Sequence, residues 1–276
     1  DTNNVYSITA TITDGTNTAT QAITITVTNV NESTPAFTSD SSFSIAEGTD
    51  SVATLTGSDA DLTTPTFSTT LAGDDAGDFT LTSGGVLAFA ATPDFEAAAD
   101  ADTNNVYSIT ATITDGTNTA TQAITITVTD ENDNNPVLSV ATPYSVVEGA
   151  TTVATVTASD ADAGTTITFS LSGTDSGDFA IDSSSGAITF NSAPDFETPG
   201  SVANSNAYSL NVVASDGTNT DTEAIVVNVT DANDNSPVLS VATPYSVAEN
   251  TTTVATVTAS DADAGTTITF SLSGTD

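Results

Sequence analysis

Asp130-Glu131-Asn132-Asp133-Asn134-Asn135-Pro136 (DENDNNP) recurs 101 residues later as Asp231-Ala232-Asn233-Asp234-Asn235-Ser236-Pro237 (DANDNSP). A degenerate copy, Asn29-Val30-Asn31-Glu32-Ser33-Thr34-Pro35 (NVNESTP), stands 101 residues earlier. Each copy joins side-chain oxygens to a proline, which stiffens the chain and cannot extend a strand ladder. Segments of this kind at constant spacing read as linkers between domains of one size. They divide the chain into 1–35 (the C-terminal part of a repeat plus linker), two full repeats at 36–136 and 137–237, and 238–276 (the N-terminal part of a further repeat). Residues 1–28 are identical to 102–129, and 238–276 match 137–175 at all but three positions, Ala248, Asn250 and Thr251. Near-identical neighbours point to recent duplication within a longer array, of which this chain reads as an excerpt. Positions 176–202 of the repeat are represented in neither end piece, so the two ends together do not make a whole domain.

Between linkers the hydrophobic period is two. Val153 to Ala158, Ile167 to Leu171, Tyr208 to Val212 and Ala224 to Val229 all alternate, which is the pattern of half-buried strands. Turn signals separate them: Asp162-Ala163-Gly164, Gly173 to Gly177, Ser183 to Gly186 and Asp216 to Asn219. Strands beginning near Tyr144, Val153, Thr166, Asp178, Ala187, Ala207 and Thr222 give seven in about 100 residues, the count of a Greek-key β-sandwich. The fold class is therefore all-β, with tandem seven-stranded sandwiches of immunoglobulin-like architecture in a linear array. The tryptophan and cysteine pair of antibody domains is missing. Phe169, Phe179, Ile181, Ile188, Phe190, Tyr208, Leu210, Val212 and Ile225 are expected to fill the core, at roughly 1.5 to 3 kcal/mol per large buried side chain. The 36–136 repeat follows the same plan, with two compensating one-residue length changes at turns.

The chain has 36 acidic residues and no Lys, Arg or His, hence a formal charge of −36. No nucleic acid partner suits such a chain, because nucleic acids are held through Lys and Arg. The 37% of hydrophobic residues and their patterning argue against disorder. No apolar run approaches the roughly 20 residues of a membrane span, so no membrane insertion is expected in this segment. Without Cys there is neither a disulfide nor thiol chemistry.

Around the joint at 130–136 the acids recur at fixed places. Glu47 lies near the first strand, Asp94 and Glu96 after the fifth, Asn132, Asp133 and Asn134 in the linker, and Asp160, Asp162 and Asp216 beyond it. If these seven carboxylates converge, neighbours about 4 Å apart repel by about 4 kcal/mol at an effective dielectric of 20, with no basic residue to offset it. A set of Asp, Glu, Asn and backbone oxygens without nitrogen or sulfur donors fits a hard cation, and irregular high-count ligation favours Ca²⁺ over octahedral Mg²⁺.

Six motifs in constant order then carry a resemblance: Glu148 in Val-Glu-Gly, Asp160-Ala161-Asp162, the Phe179 to Ile188 strand pair, Asp195-Phe196-Glu197, Ala214-Ser215-Asp216 and Asp231 to Pro237. The repeat resembles an extracellular cadherin repeat, over essentially every residue of the chain. The resemblance implies about three Ca²⁺ ions per complete interdomain joint, ligated by both neighbours and the linker. Carried over by motif, the first full joint would use Glu47, Asp94, Glu96, Asn132, Asp133, Asn134, Asp160, Asp162 and Asp216, with the carbonyls of Glu131 and Asn134. The second would use Glu148, Asp195, Glu197, Asn233, Asp234, Asn235, Asp261 and Asp263. The joint at 29–35 departs from the pattern, with Asn29, Glu32 and Ser33 at three positions. Asp59, Asp61 and Asp115 remain, and fewer or weaker ions are expected there.

Competing readings fail on chemistry. Asp160 to Gly164 lacks the third acidic position, the placed glycine and the closing glutamate of an EF-hand loop. Asp175-Ser176-Gly177 looks like an aspartic-protease triplet but lies in a turn, and its repeat at Asp276 is incomplete. Nucleophilic triads lack their His and phosphate clamps lack Lys and Arg, so no enzyme is expected. Three glycosylation sequons, at Asn31, Asn228 and Asn250, read as chance. The function that results is a calcium-rigidified stalk or filament segment of an extracellular or cell-surface adhesin, of bacterial type, with neighbouring repeats and identical chains in a fibre as partners. The alternatives are a glycan- or self-recognition module and a laterally assembling surface coat.

Overall fold

The computed structural model describes residues 4–61 and 63–274; Asp276, the repeat of Asp175, lies outside them. The chain divides into two compact units, 1–131 and 132–276, and the division falls inside the linker at 130–136.

In the second unit, the repeat from 137 builds two facing sheets. Tyr144–Val147 pairs in parallel with Thr220–Thr230, which pairs with Ala207–Ser215, and that in turn with Thr168–Ser172. The opposing sheet runs Thr152–Thr155, Ala187–Phe190, Phe179–Ile181, with the short pair Val137–Ser139 and Thr157–Ser159 at its side. These are seven strands in nine segments, because the first two strands each break and serve two pairings. The strand expected from Val153 to Ala158 is interrupted at Val156, which is buried in the core while the ladder breaks there into Thr152–Thr155 and Thr157–Ser159. Asp178, read as a strand start, sits in the 3₁₀ turn Ser176–Asp178, and the strand begins at Phe179. The first unit repeats this plan from Ala36 to Thr129, with sheet orders that correspond strand for strand.

Cβ atoms alternate across a strand, so one face of each sheet is apolar. Along Ala207–Ser215 the buried positions are Tyr208, Leu210, Val212 and Ala214, and along Thr220–Thr230 they are Ile225, Val227 and Val229. Phe179 and Phe190 lie with ring centroids 4.3 Å apart, and Tyr208 meets both edge-on at 5.6 and 5.3 Å. Its hydroxyl accepts the Gly200 amide at 3.2 Å, so the polar tip is satisfied while the ring is buried. Of the expected core residues, Ile181 alone is only half-buried; Leu138, Val146, Val156, Val227 and Val229 join the cluster.

The triplet Asp175-Ser176-Gly177 has a structural use. Asp175 is buried, and its two carboxylate oxygens accept the amides of Val202 at 2.9 Å and Ser209 at 2.6 Å. Asp75 does the same for Ala101 and Ser108 in the other repeat. Asp175→Ala leaves two amides unmatched and is expected to cost about 2 to 4 kcal/mol of repeat stability. Urea denaturation checks it, and a midpoint equal to wild type would refute the stapling role.

Candidate metal centre

The sharp Gly-containing turns after each first strand, and the loops after each fifth, bring acidic residues to the ends of the sandwiches. In the second unit Glu148 is buried; one carboxylate oxygen accepts the Phe196 amide and the other the Ala232 amide, both at 2.7 Å. One side chain thereby holds the Asp195-Phe196-Glu197 loop and the linker together. Around it, ligand atoms of Glu148, Glu197 and Asp234 lie within 4.8 Å of one another, as do those of Glu197, Asp231 and Asp263. Asp195 is exposed beside them and accepts the Thr198 amide at 2.9 Å. Asp263 is buried; its amide is accepted by Asp261 at 3.2 Å, and it accepts Asn235 through both the backbone and side-chain nitrogens, at 3.0 and 2.9 Å. Asn233 is exposed in the linker.

A third trio in the same unit, Asp160, Asp162 and Asp216, meets the same distance limit. Asn134 clamps it, donating to Asp162 from its backbone at 3.0 Å and from its side chain at 2.7 Å. The Asn134 carbonyl is held by Asn219 at 2.9 Å, and Asn134 also donates to the exposed Asp133 at 3.0 Å. The Asn132 amide faces Asp162 and Asp216 at 3.2 and 3.1 Å. With its nitrogen inward it donates to both carboxylates; with its oxygen inward it joins a set of acceptors that a cation would satisfy.

In the first unit Glu47 is buried and accepts the Phe95 amide at 2.6 Å and the Glu131 amide at 2.8 Å. Glu47, Glu96 and Asp130 form a trio there, while Asp94 is exposed and accepts the Ala97 amide at 3.0 Å. At the joint 29–35, among the described residues, Asp59, Asp61 and Asp115 form no such trio. Ser33 donates to Asp61 instead, at 2.5 Å, and Asn118 holds the Ser33 carbonyl at 2.8 Å.

Asp130 and Asp231 belong to these trios but not to the set expected from sequence. Their signal was the leading aspartate of both intact linkers, which is Asn29 in the degenerate one.

The donor set fits a hard cation on two counts. It is oxygen only, and Asp160 Oδ2, Glu197 Oε1 and Asp231 Oδ1 are buried acceptors without a hydrogen-bond partner. Buried acceptors are almost always paired, so orphans gathered in carboxylate trios mark places for a positive ion. The charges feel one another. Burial, and then the charges of Glu148, Asp231 and Asp263, raise the Glu197 carboxyl above its ordinary value, against a backbone hydrogen bond that lowers it. Desolvation and then Glu148, Asp263, Asp195 and Asp231 raise Asp234. At Asp216 burial works upward, but the amides of Asn219 and Thr218 win and hold the group low.

The raised pair has a testable sign. A carboxyl whose folded-state pKa exceeds its unfolded one contributes stability that is present below the unfolded value and lost as pH rises through the folded one. In chelator the melting midpoint is therefore expected to rise as pH falls from 7 toward the ordinary carboxylate value of about 4. In saturating calcium protons compete with the ion, and the midpoint is expected to fall over the same interval. Calorimetry at both pH values, with and without calcium, checks the reversal; slopes of one sign would contradict it.

A family model described as Cadherin domain matches residues 142–230. The human "Cadherin EGF LAG seven-pass G-type receptor 2" is 39% identical over 158 residues, covering 53% of this chain and 5% of that protein. Human "Protocadherin Fat 1" is 34% identical over 179 residues, covering 60% of this chain and 4% of its own length. The chain thus spans about one twentieth of these curated relatives. Among solved structures, mouse Cadherin-23 EC22-24 aligns with TM-score 0.66 and 27% identity, over 85% of this chain and 80% of that one. The Protocadherin GammaB4 extracellular domain aligns with TM-score 0.69 and 26% identity, over 95% of this chain and 43% of that one.

Proposed function

We propose that this chain, of which residues 142–230 match the Cadherin domain model, is a calcium-rigidified stalk segment of a cell-surface adhesin rather than an enzyme. Cadherin domains bind calcium as a class; the assignment to particular residues here is our own. Among the described residues no helix is long and apolar enough to cross a membrane.

The observation that carries the proposal is the set of carboxylate trios with orphaned buried oxygens in a chain without a single basic side chain. Glu148, Glu197, Asp231, Asp234 and Asp263 would hold ions at the second full joint, with Asp195, Asn233, Asn235 and Asp261 at its margin. In the first unit, Glu47, Asp94, Glu96, Asp130 and Glu131 would form a further ligand set, and in the second Asn132, Asp133, Asn134, Asp160, Asp162 and Asp216 another. A bound divalent ion neutralises carboxylates that otherwise repel, and it ties linker to domain. With about three ions per complete joint, the linkers would be stiffened and the chain would serve as a rigid stalk. Small-angle X-ray scattering with calcium and then with EDTA tests this: the maximum dimension and the stiffness are expected to fall on chelation. A maximum dimension unchanged by EDTA would sink the proposal.

A further inference from the structure

Each complete repeat has a cavity where its 3₁₀ turn meets the loop that follows the fifth strand. In the 137–237 repeat the cavity measures about 440 Å³ beside Ser176–Asp178, and Asp178, Phe190, Pro194, Asp195 and Tyr208 line it. In the 36–136 repeat it measures about 230 Å³ beside Ala76–Asp78, and Asp78, Phe89, Pro93, Asp94 and Tyr107 line it at the matching places. Polarity separates the two. Asn191, Ser192 and Thr198 line the larger cavity where Ala90, Ala91 and Ala97 line the smaller, with Thr92 for Ala193 the one change in the other direction. Binding pockets for small groups run from about 300 to 1,000 Å³, so the larger cavity alone is of that size.

The larger cavity is rich in acceptors. Asp178 is half-buried, and among the described residues no donor reaches its carboxylate; its backbone alone is bonded, to Asp175 and Asn191. The Asn191 side-chain nitrogen donates to the Gly177 and Phe179 carbonyls at 2.9 and 3.3 Å. Those two bonds fix the amide and leave its oxygen as a second acceptor. Asp195 adds a carboxylate that already accepts the Thr198 amide at 2.9 Å. The chain has no Lys, Arg or His, so a counter-charge for Asp178 has to come from another molecule.

We propose that the cavity of the 137–237 repeat is a docking pocket for an arginine side chain of a protein partner, anchored on the Asp178 carboxylate with the Asn191 side-chain oxygen as second acceptor. A guanidinium presents five donors in one plane and is weakly hydrated, so it suits separated oxygens set among the apolar lining of Phe190, Pro194 and Tyr208. An ammonium is a strongly hydrated point charge and loses more water on entering. A carboxylate at the turn is common to both repeats, but the pocket is not: the cavity of the 36–136 repeat has about half the volume, and alanine stands where Asn191 supplies its oxygen. Neither Asp178 nor Asn191 belongs to the proposed calcium sites, and Asp195 is the one residue shared with them. The pocket therefore stands apart from the calcium reading.

Titration of the isotope-labelled full chain with the capped tripeptide acetyl-Gly-Arg-Gly-amide, followed by NMR, tests the proposal. The buffer holds about 10 mM calcium and about 0.15 M salt, which occupies the calcium sites and screens the general acidic surface. The backbone amides of Gly177, Asp178 and Ser192 are expected to shift to saturation, while those of Gly77, Asp78 and Ala91 shift little. Asp178→Asn is expected to weaken binding about 10-fold through loss of a charge-assisted hydrogen bond. Asn191→Ala, the residue type that the 36–136 repeat carries at Ala90, is expected to weaken it about 3-fold. The Asp178 side chain bonds to no other group, and the other repeat folds with alanine at the second position, so both variants are expected to keep the fold, which circular dichroism checks. A peptide with citrulline in place of arginine is expected to bind at least about 10-fold more weakly, and one with lysine more weakly as well. Equal shifts in the two repeats, equal affinity for the citrulline or lysine peptide, or undiminished affinity in Asp178→Asn overturns the proposal.

Discussion

Chelation of calcium is expected to lower the unfolding midpoint of the repeats by about 15 °C or more. Ligand that binds only the folded state stabilises it by RT ln(1 + [L]/Kd). Extracellular-type calcium sites have Kd values of about 10⁻⁴ to 10⁻³ M, so about 10 mM calcium is roughly 10 to 100 times Kd and each site contributes about 1.4 to 2.7 kcal/mol. About three sites at a complete joint then sum to roughly 4 to 8 kcal/mol, and for a domain of about 100 residues each kcal/mol moves the midpoint by about 4 to 8 °C. The same trios act in the other direction when empty, because their carboxylates repel and no basic side chain lies anywhere in the chain. Differential scanning calorimetry with 10-fold steps of calcium and with EDTA measures both effects. Midpoints that coincide in calcium and EDTA would mean that the trios hold no ion.

Much of this architecture was legible because strand alternation and linker spacing are both local signals. Tyr208, Leu210 and Val212 point inward simply because they alternate. What sequence could not show was how a strand ends. The run from Val153 to Ala158 reads as one strand, yet its ladder is interrupted at Val156 and the chain switches partners there, from Ala187–Phe190 to Val137–Ser139. At the candidate site, the motif aspartates and glutamates were readable, but their divisions of labour were not. Glu148 and Glu47 are bonded to two backbone amides each, and Asn134 and Asn235 point side-chain nitrogens at carboxylates. Those assignments depend on distances of a few tenths of an ångström between loops 28 to 84 residues apart in sequence. Asp175 shows the same limit, since a buried amide staple and a catalytic triplet are one string of letters.

The two kinds of acid separate cleanly by substitution. Asp133 is exposed and accepts the Asn134 side-chain amide at 3.0 Å, so Asp133→Ala removes a proposed ligand at a solvent-facing position. Each sandwich is expected to remain folded, with its stability in EDTA near that of wild type, while the calcium-dependent part shrinks and the joint loosens. Glu148→Ala is different in kind. It removes the acceptors of the Phe196 and Ala232 amides, both bonded at 2.7 Å at a buried position. An unmatched buried amide costs about 1 to 3 kcal/mol, so the loss is expected to be about 2 to 5 kcal/mol before any ion is counted, and it persists in EDTA. Glu148→Gln keeps one acceptor and turns an NH₂ toward the other amide, so it is expected to recover less than half of that loss and none of the calcium affinity. Urea denaturation of the three variants in EDTA and in calcium separates the two roles. If Glu148→Ala matched wild type in EDTA, the glutamate would be a ligand alone and the loop-to-linker tie would carry no stability.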